Sequence, residues 1–211
     1  MRKLDFGCGS GGYPGGDAVH PRDRGSWLEK YGDPDTIAID IDLRAIREAR
    51  RRTGRDVSFL LADGKKLPFV DNSLDYVREW GVLHHVVNYL EAIEEIARVL
   101  KEGGEFVACE TVDNDPIYSF CRTVVGNWKG TPIESRFKSE ELLKEIEKYF
   151  KFEQVEFWHR PLVVDIPSYF LDRYPGMFIG LYWQYYASRM LYKVRLLPHF
   201  ARHVAIRAIR K

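Results

Sequence analysis

The chain has 211 residues, and its 32 Lys and Arg nearly balance its 31 Asp and Glu. This length suits one domain that can bury a sizeable core. No uncharged apolar run reaches about 18 residues, so the composition argues against a transmembrane helix.

The cysteines and the first residues favour a cytoplasmic protein. Cys8, Cys109 and Cys121 are odd in number and form no C-x-x-C pair, which suits a reducing compartment and implies no structural metal. A predicted strand follows Met1-Arg2-Lys3 directly, without a signal peptide. Asn and Gln are scarce beside abundant Arg, Lys and Glu, a composition typical of thermophilic sources.

Strands and helices alternate along the chain, which predicts a doubly wound α/β fold. Apolar runs predict strands at 3–6, 36–40, 57–61, 74–80, 105–111, 153–158 and 203–209. Helical spacing predicts a first helix from Leu43 through Ile46 and Ala49. A second helix has an apolar stripe of Leu90, Ile93, Ala97 and Leu100 and ends at Gly103-Gly104. A short helix is predicted at 117–125, and a last one begins at Ser139 and buries Leu142, Leu143, Ile146 and Phe150.

A glycine turn follows the first strand in the stretch Leu4-Asp5-Phe6-Gly7-Cys8-Gly9-Ser10-Gly11. Gly7, Gly9 and Gly12 also fit the dinucleotide fingerprint G-x-G-x-x-G. However, Tyr13-Pro14-Gly15-Gly16 should stop the helix that a dinucleotide site needs. Asp5 suits a ligand with a positive end, such as an amino group, better than a pyrophosphate.

Acids close the next strands, and with the glycine turn they carry a family resemblance. Asp40 ends one strand, and Asp63-Gly64 follows another just before Leu67-Pro68-Phe69. The series resembles the class I S-adenosylmethionine-dependent methyltransferases, in particular the ubiquinone/menaquinone-type, methyltransferase type 11-like group with D-x-G-C-G-x-G and L-P-F-x-D-x-S-x-D signatures. The resemblance covers roughly residues 3 to 111.

The resemblance implies a Rossmann-like seven-stranded sheet of order 3-2-1-4-5-7-6 with an antiparallel last strand. It implies S-adenosylmethionine as cofactor, with the glycine turn at the methionyl part, Asp40 at the ribose and Asp63 at the adenine amino group. The implied cofactor-binding residues are Asp5, Gly7, Cys8, Gly9, Gly11, Asp40, Ile41, Asp63, Gly64 and Glu79. Asp40 has the alternative of capping the next helix, a role that Asp42 also fits, and Asp63 that of a solvated loop acid.

Three residues are candidates for catalysis. Glu79 falls where the family's chain passes the methionyl group and the substrate, although a surface acid fits the same position. His84 and His85 are candidate general bases, because an unperturbed histidine titrates near neutral pH. The alternative is that these histidines cap a helix or pack.

Residues 161–199 are rich in aromatics, and no acidic residue follows Asp172. We expect a helical cap inserted between strands 6 and 7 of a single domain, 1–211, with Tyr182 and Tyr185 in an acceptor pocket. The alternatives are a lid packed on the core, an interfacial helix on an anionic membrane, or an RNA-binding surface, for which no recognisable module is present. The stretch 12–35 is either a surface insertion or brings His20, Arg22 or Arg24 over the cofactor's carboxylate.

The sequence therefore favours methyl transfer from S-adenosylmethionine to a small-molecule or lipid-like acceptor. A nicotinamide (NAD)-dependent oxidoreductase and a cofactor-free adaptor with the same fold are the competing hypotheses. The acceptor atom and the oligomeric state do not follow from the residues.

Overall fold

The computed structural model describes residues 1–11, 32–53, 56–114, 137–158 and 201–211. In chain order the elements are β1 (Lys3–Phe6), β2 (Thr36–Asp40), α1 (Leu43–Thr53), β3 (Ser58–Leu61), β4 (Leu74–Trp80), a 3₁₀ turn (Leu83–His85), α2 (Tyr89–Val99), β5 (Leu100–Thr111), α3 (Ser139–Glu147), β6 (Phe150–Trp158) and β7 (His203–Arg210). The predicted alternation of strands and helices is confirmed.

The strands form one seven-stranded sheet in the order β3-β2-β1-β4-β5-β7-β6, as the resemblance implied. β1 pairs in parallel with both β2 and β4, so Phe6 lies between Ile39 and Glu79 in register. β7 runs antiparallel between β5 and β6. Strand order reverses at β1, and ligands of such sheets bind beyond the carboxyl ends of the strands at this point.

The core is formed largely by apolar side chains of the central strands. Leu4, Phe6, Val77 and Phe106 are almost completely buried, as expected for strands covered on both faces. A smaller apolar cluster between β2 and α1 contains Cys8, Ala38, Ile46 and Ala49. Because this cluster includes Cys8, it packs the first residues after β1 against β2 and α1.

The α2 helix differs from its predicted stripe at both ends. Leu90 is exposed, and the buried face is formed by Ala92, Ile93, Ile96 and Ala97. Tyr89 covers the first turn instead, with its ring centroid 4.8 Å from that of Phe137. The helix also ends at Val99, before the glycines, because Leu100 already pairs with Leu74 in the sheet.

Two strands near the last sheet edge are longer than predicted. β5 begins at Leu100 instead of 105, with an irregularity before Glu105 pairs with Tyr76. β6 begins at Phe150 instead of 153, because Phe150 pairs with Arg210. Phe150 is buried as predicted, but as a strand residue and not as part of α3.

Several predictions fall outside the described residues. These are the insertion up to residue 31, the short helix at 117–125, and the cap at 161–199 with Tyr182 and Tyr185. Of the helices within the described ranges, none combines the length and the apolar character needed to cross a membrane.

Candidate functional site

The glycine turn leaves the sheet at the reversal point. Gly7, Gly9 and Gly11 all have positive φ angles, between 54° and 72°, a conformation that L side chains rarely adopt. A Cβ on Gly7 would lie 2.4 Å from a methyl carbon of Val82, and one on Gly11 would lie 3.0 Å from Cα of Ala49. Among the described residues, a Cβ on Gly9 would meet no atom within 4 Å. Gly7 and Gly11 thus serve packing within the protein, whereas no described residue crowds Gly9.

Asp40 connects this turn to the end of β2. Its Oδ2 accepts a hydrogen bond from the Gly9 amide at 2.8 Å, and its Oδ1 accepts one from the Asp42 amide at 2.9 Å. Asp42 in turn accepts the amide of Arg44 at 2.8 Å and so caps α1. Asp40 is therefore not needed as the helix cap, and its carboxylate is held beside Gly9 with lone pairs left to accept further donors.

An exposed apolar side chain lies next to this carboxylate. Ile41, directly after β2, is 72% exposed, and Leu61 at the end of β3 is 52% exposed. Such exposure of isolated apolar residues is common in itself. Ile41 and Leu61 form an apolar surface beside the backbone of Gly9 and the carboxylate of Asp40. This combination of apolar and polar groups fits the adenosyl part of S-adenosylmethionine.

Asp63 and Gly64 have different neighbours. The exposed Asp63 carboxylate accepts the amide of Lys65 at 2.9 Å. A Cβ on Gly64 would lie 2.3 Å from Cζ of Phe6, so this glycine is required by the core. Arg98 holds the segment Leu67-Pro68-Phe69 that follows, because its guanidinium donates to the carbonyls of Leu67 and Phe69.

Asp5 forms a buried ion pair with Arg78. Nη1 of Arg78 donates to Oδ1 of Asp5 at 3.0 Å, and both side chains are 6% exposed. Burial raises the pKa of Asp5, and the neighbouring Arg78 opposes this shift. The positive partner that the sequence suggested for Asp5 is thus supplied by the protein itself, and contact of Asp5 with a cofactor stays a prediction.

Cys8 contributes to the turn chiefly through its backbone. Its amide donates to the Ile39 carbonyl at 2.8 Å, and its side chain lies in the cluster with Ala38 and Ile46. Burial, assisted by Asp5 and Asp40, raises the pKa of the Cys8 thiol far above its ordinary value. The thiol is therefore no nucleophile at neutral pH.

The candidate catalytic residues meet at the ends of β4 and β5. Glu79 is fully buried, and its Oε1 accepts the Val82 amide at 2.5 Å. Nδ1 of the half-buried His84 lies 2.7 Å from Oε2 of Glu110, which is also fully buried. His85 is exposed, with its ring centroid 4.0 Å from that of His84. The structure thus brings Glu79 and His84 together with an acid that the sequence did not single out.

Sequence reasoning missed Glu110 and Arg78. The available signal was a charged residue within an apolar run: Arg78 lies in Leu74–Trp80, and Glu110 ends an apolar stretch of Leu100–Thr111. Such residues are rarely fully buried unless they are paired. Their partners, Asp5 for Arg78 and His84 for Glu110, are remote in sequence and become visible only in the fold.

Residues 4–108, about half of the chain, match the family described as "Methyltransferase domain". A demethylmenaquinone methyltransferase of Paenarthrobacter aurescens (strain TC1) is 38% identical over 112 residues, which are 52% of this chain and 40% of the relative. One of Staphylococcus aureus (strain MRSA252) is 34% identical over 113 residues, or 53% of this chain and 43% of the relative. The matches thus span about two-fifths of the length of these curated relatives.

A solved structure has the same fold. A SAM-dependent methyltransferase from Thermotoga maritima, described as a possible histamine N-methyltransferase, superposes with a TM-score of 0.61 at 18% identity, covering 100% of this chain and 82% of that one. At this identity the likeness shows the fold alone. None of these comparisons supports a thermophilic source. With the sheet order, the glycine turn and the family match in agreement, the chain belongs to the class I S-adenosylmethionine-dependent methyltransferases.

Proposed function

We propose that this protein transfers a methyl group from S-adenosylmethionine to a small or lipid-like acceptor. The observation that carries the proposal is the pairing of the Gly9 amide with the Asp40 carboxylate at the reversal point of the sheet, where no described residue would crowd a Cβ on Gly9. When bound, S-adenosylmethionine supplies a methyl group already activated by a positively charged sulfur.

In this proposal the chain binds and orients. Asp40 accepts hydrogen bonds from the ribose hydroxyls, Asp63 accepts one from the adenine amino group, and Ile41 covers the apolar ring. Holding two reactants in line can lower the activation free energy by about 7–11 kcal/mol. The absence of a nucleophilic side chain from this mechanism is therefore no obstacle.

The acceptor is proposed from the relatives and from composition. The relatives named above are demethylmenaquinone methyltransferases, so a demethylmenaquinone is the first acceptor to test. Tyr182 and Tyr185, which lie outside the described residues, are proposed as pocket walls because their segment is rich in aromatics.

A contact with an anionic membrane is a weaker part of the proposal. Of the basic residues after Asp172, four are occupied within the fold. Arg207 pairs with Glu105 at 2.6 Å, Arg210 donates to the Ala97 carbonyl at 2.8 Å, and Arg202 is fully buried. Lys211 donates to the Glu147 carbonyl at 2.5 Å. The hypothesis thus depends on the cations between Arg173 and Arg195.

Calorimetry with S-adenosylhomocysteine and with NAD tests the cofactor directly. We expect binding of the first and none of the second. Binding of NAD alone would favour the oxidoreductase, and binding of neither would favour the adaptor. Transfer of a radiolabelled methyl group to a demethylmenaquinone then tests the acceptor, and zwitterionic against anionic vesicles test the membrane contact.

A further inference from the structure

The helices on the two faces of the sheet carry opposite charges. Ala38 and Ile39 are consecutive in β2 and therefore point to opposite faces. Ala38 lies in the apolar cluster with α1, and Ile39 lies in the core that includes α2 and α3. α1 contains five arginines and one glutamate. α2 has three glutamates and one arginine, and α3 has four glutamates and one lysine. The α1 face is thus basic and the α2 and α3 face acidic.

Most of the arginines of α1 are not neutralised within the fold. Glu48 pairs with Arg51 and with Arg52, so these two cations have a partner in their own helix. The other three are exposed and have no acidic partner among the described residues: Arg44, Arg47 and Arg50. Their guanidinium groups can therefore bind an anion outside the chain.

The free arginines lie along one side of the helix. Successive residues of an α-helix are rotated by about 100°, and the buried face of α1 is formed by Ile46, Ala49 and Thr53. Arg44 lies opposite this face, and Arg47 adjoins it three residues further along. Leu43, which is 44% exposed, shares the neighbouring stripe with Arg47 and Arg50 at positions i, i+4 and i+7. α1 thus presents a row of cations with an exposed aliphatic side chain at its start.

The composition of this row favours anionic lipid over other anionic partners. Proteins that bind single-stranded nucleic acid combine cations with aromatic rings that stack on the bases, and α1 contains no aromatic residue. An anionic bilayer attracts the cations and accepts an aliphatic side chain at the boundary between headgroups and acyl chains. The acidic face of a second copy would also attract α1, but a head-to-tail contact between opposite faces generates an open filament.

We propose that α1 docks this protein on an anionic phospholipid bilayer through Arg44, Arg47 and Arg50, with Leu43 at the headgroup boundary. The acidic face formed by α2 and α3 then points away from the lipid, so the charge distribution also sets the orientation. The inference rests on the proposed lipid-like acceptor and deepens it, because it names the surface from which such an acceptor is taken. It is independent of the cations between Arg173 and Arg195.

The first test measures flotation of the full chain with vesicles. Wild type should bind vesicles of phosphatidylglycerol and phosphatidylcholine in equal parts, and should not bind pure phosphatidylcholine. Each basic residue near an anionic surface strengthens binding by about fivefold, so Arg44→Gln/Arg47→Gln should weaken it about 30-fold. Binding should also fall as salt is added, because the attraction is screened.

The matched control removes the same charge from the opposite face. Lys144 and Lys148 are exposed at α3 and its C-terminal end, and Lys144→Gln/Lys148→Gln should bind the vesicles as wild type does. Equal losses in the two double variants, or no loss in the arginine variant, overturn the inference. A wild type that ignores anionic vesicles overturns it as well.

The second test needs no variant and identifies the partner. Phenylglyoxal modifies accessible arginines, and mass spectrometry locates the modified positions. Anionic vesicles should protect Arg44, Arg47 and Arg50 and leave the exposed Arg2 reactive. Inorganic phosphate at the same phosphate concentration should protect none of them. Protection by single-stranded poly(U) RNA without protection by vesicles assigns the row to nucleic acid, and salt-sensitive filaments that protect it without lipid assign it to a second copy. Either result overturns the inference.

Activity separates this inference from the proposed function. Arg44→Gln/Arg47→Gln should bind S-adenosylhomocysteine as wild type does, and should methylate a demethylmenaquinone equally well in neutral detergent. Transfer to the same acceptor in anionic vesicles should fall about 30-fold, in step with binding. Equal transfer by variant and wild type in the vesicles contradicts the inference and leaves methyl transfer intact. A wild type that binds no S-adenosylhomocysteine contradicts the proposed function, while flotation still decides the role of α1.

Discussion

The amide of Gly9 donates to Asp40 at 2.8 Å and thereby joins the glycine turn after β1 to the acid that ends β2. Two parts of the proposed cofactor site, 31 residues apart in sequence, are thus fixed relative to each other in the protein alone. A site that is formed before its ligand arrives loses little conformational entropy on binding.

Replacing Asp40 with Ala should weaken S-adenosylhomocysteine binding by about tenfold or more. The ribose hydroxyls would lose a charged acceptor, and such hydrogen bonds contribute about 1.5–3 kcal/mol each. Isothermal calorimetry measures the change. Asp42→Ala is the matched control, because it removes the cap of α1 at a cost of roughly 0.5–2 kcal/mol in stability without touching the ligand. Equal affinities for the two variants would place the ribose elsewhere.

Gly9→Ala and Gly7→Ala should fail in different ways. In both, a positive φ costs roughly 1–2 kcal/mol, but the new methyl of Gly7→Ala also collides with Val82. We expect Gly7→Ala to lower the melting temperature much more, and Gly9→Ala to remain folded and lose S-adenosylhomocysteine binding.

The control for Gly9 is Gly103. It also has a positive φ, and a Cβ there would meet no atom of the described residues within 4 Å. Gly103→Ala should reproduce the strain of Gly9→Ala and leave binding intact. If both variants bound equally well, the space beside Gly9 would not belong to the ligand.

Asp63→Asn should reduce affinity less than Asp40→Ala. The amide oxygen can still accept both the Lys65 amide and an adenine amino group, so only the charge is lost. The expected loss is about 1 kcal/mol, or about fivefold in the dissociation constant. A loss larger than that of Asp40→Ala would indicate that Asp63 supports the fold or contacts the acceptor.

Glu79→Gln should change how stability depends on pH. Because burial and the charge of Glu110 raise the pKa of Glu79 in the folded protein, the native state keeps a proton that the unfolded chain releases above its ordinary pKa. Stability from this group is therefore complete below the unfolded value and falls as pH rises toward the folded one, by at most about 1.4 kcal/mol per pH unit. Gln mimics the neutral acid and removes this slope.

Urea unfolding of wild type and Glu79→Gln at a series of pH values from acid to neutral measures the difference between their curves of unfolding free energy against pH. Glu102→Gln serves as the exposed control on β5. Parallel curves for wild type and Glu79→Gln would mean that Glu79 ionises normally in the folded protein.

The architecture could be predicted because its signals are local. The central strands are short and largely apolar segments that end at a glycine or near an acid, and the periodicity of α1 and α3 placed their buried faces correctly at Ile46 and Leu142. The resemblance then implied the strand order, which local patterns alone do not contain.

The site could be predicted only in part, because its details depend on contacts between remote residues. The sequence singled out Gly7, Gly9 and Gly11 as a group, but Val82 and Ala49 decide which of them faces a ligand. It likewise offered Asp5 to a ligand without indicating that Arg78 would lie beside it. Leu90 was placed on the buried face of α2 because spacing alone cannot tell which side chain of the first turn reaches the core.

The antiparallel pairing of β6 with β7 also has an evolutionary consequence. Trp158 and His203 are register partners, and Thr111 at the end of β5 pairs with the same His203. The chain between β6 and β7 thus departs and returns at neighbouring backbone positions on the edge that bears the proposed site. Since closing a longer or shorter loop changes the free energy only slowly with its length, related genes could exchange this whole segment without disturbing the sheet. The proposed acceptor pocket and the proposed cofactor site could then diverge independently of each other.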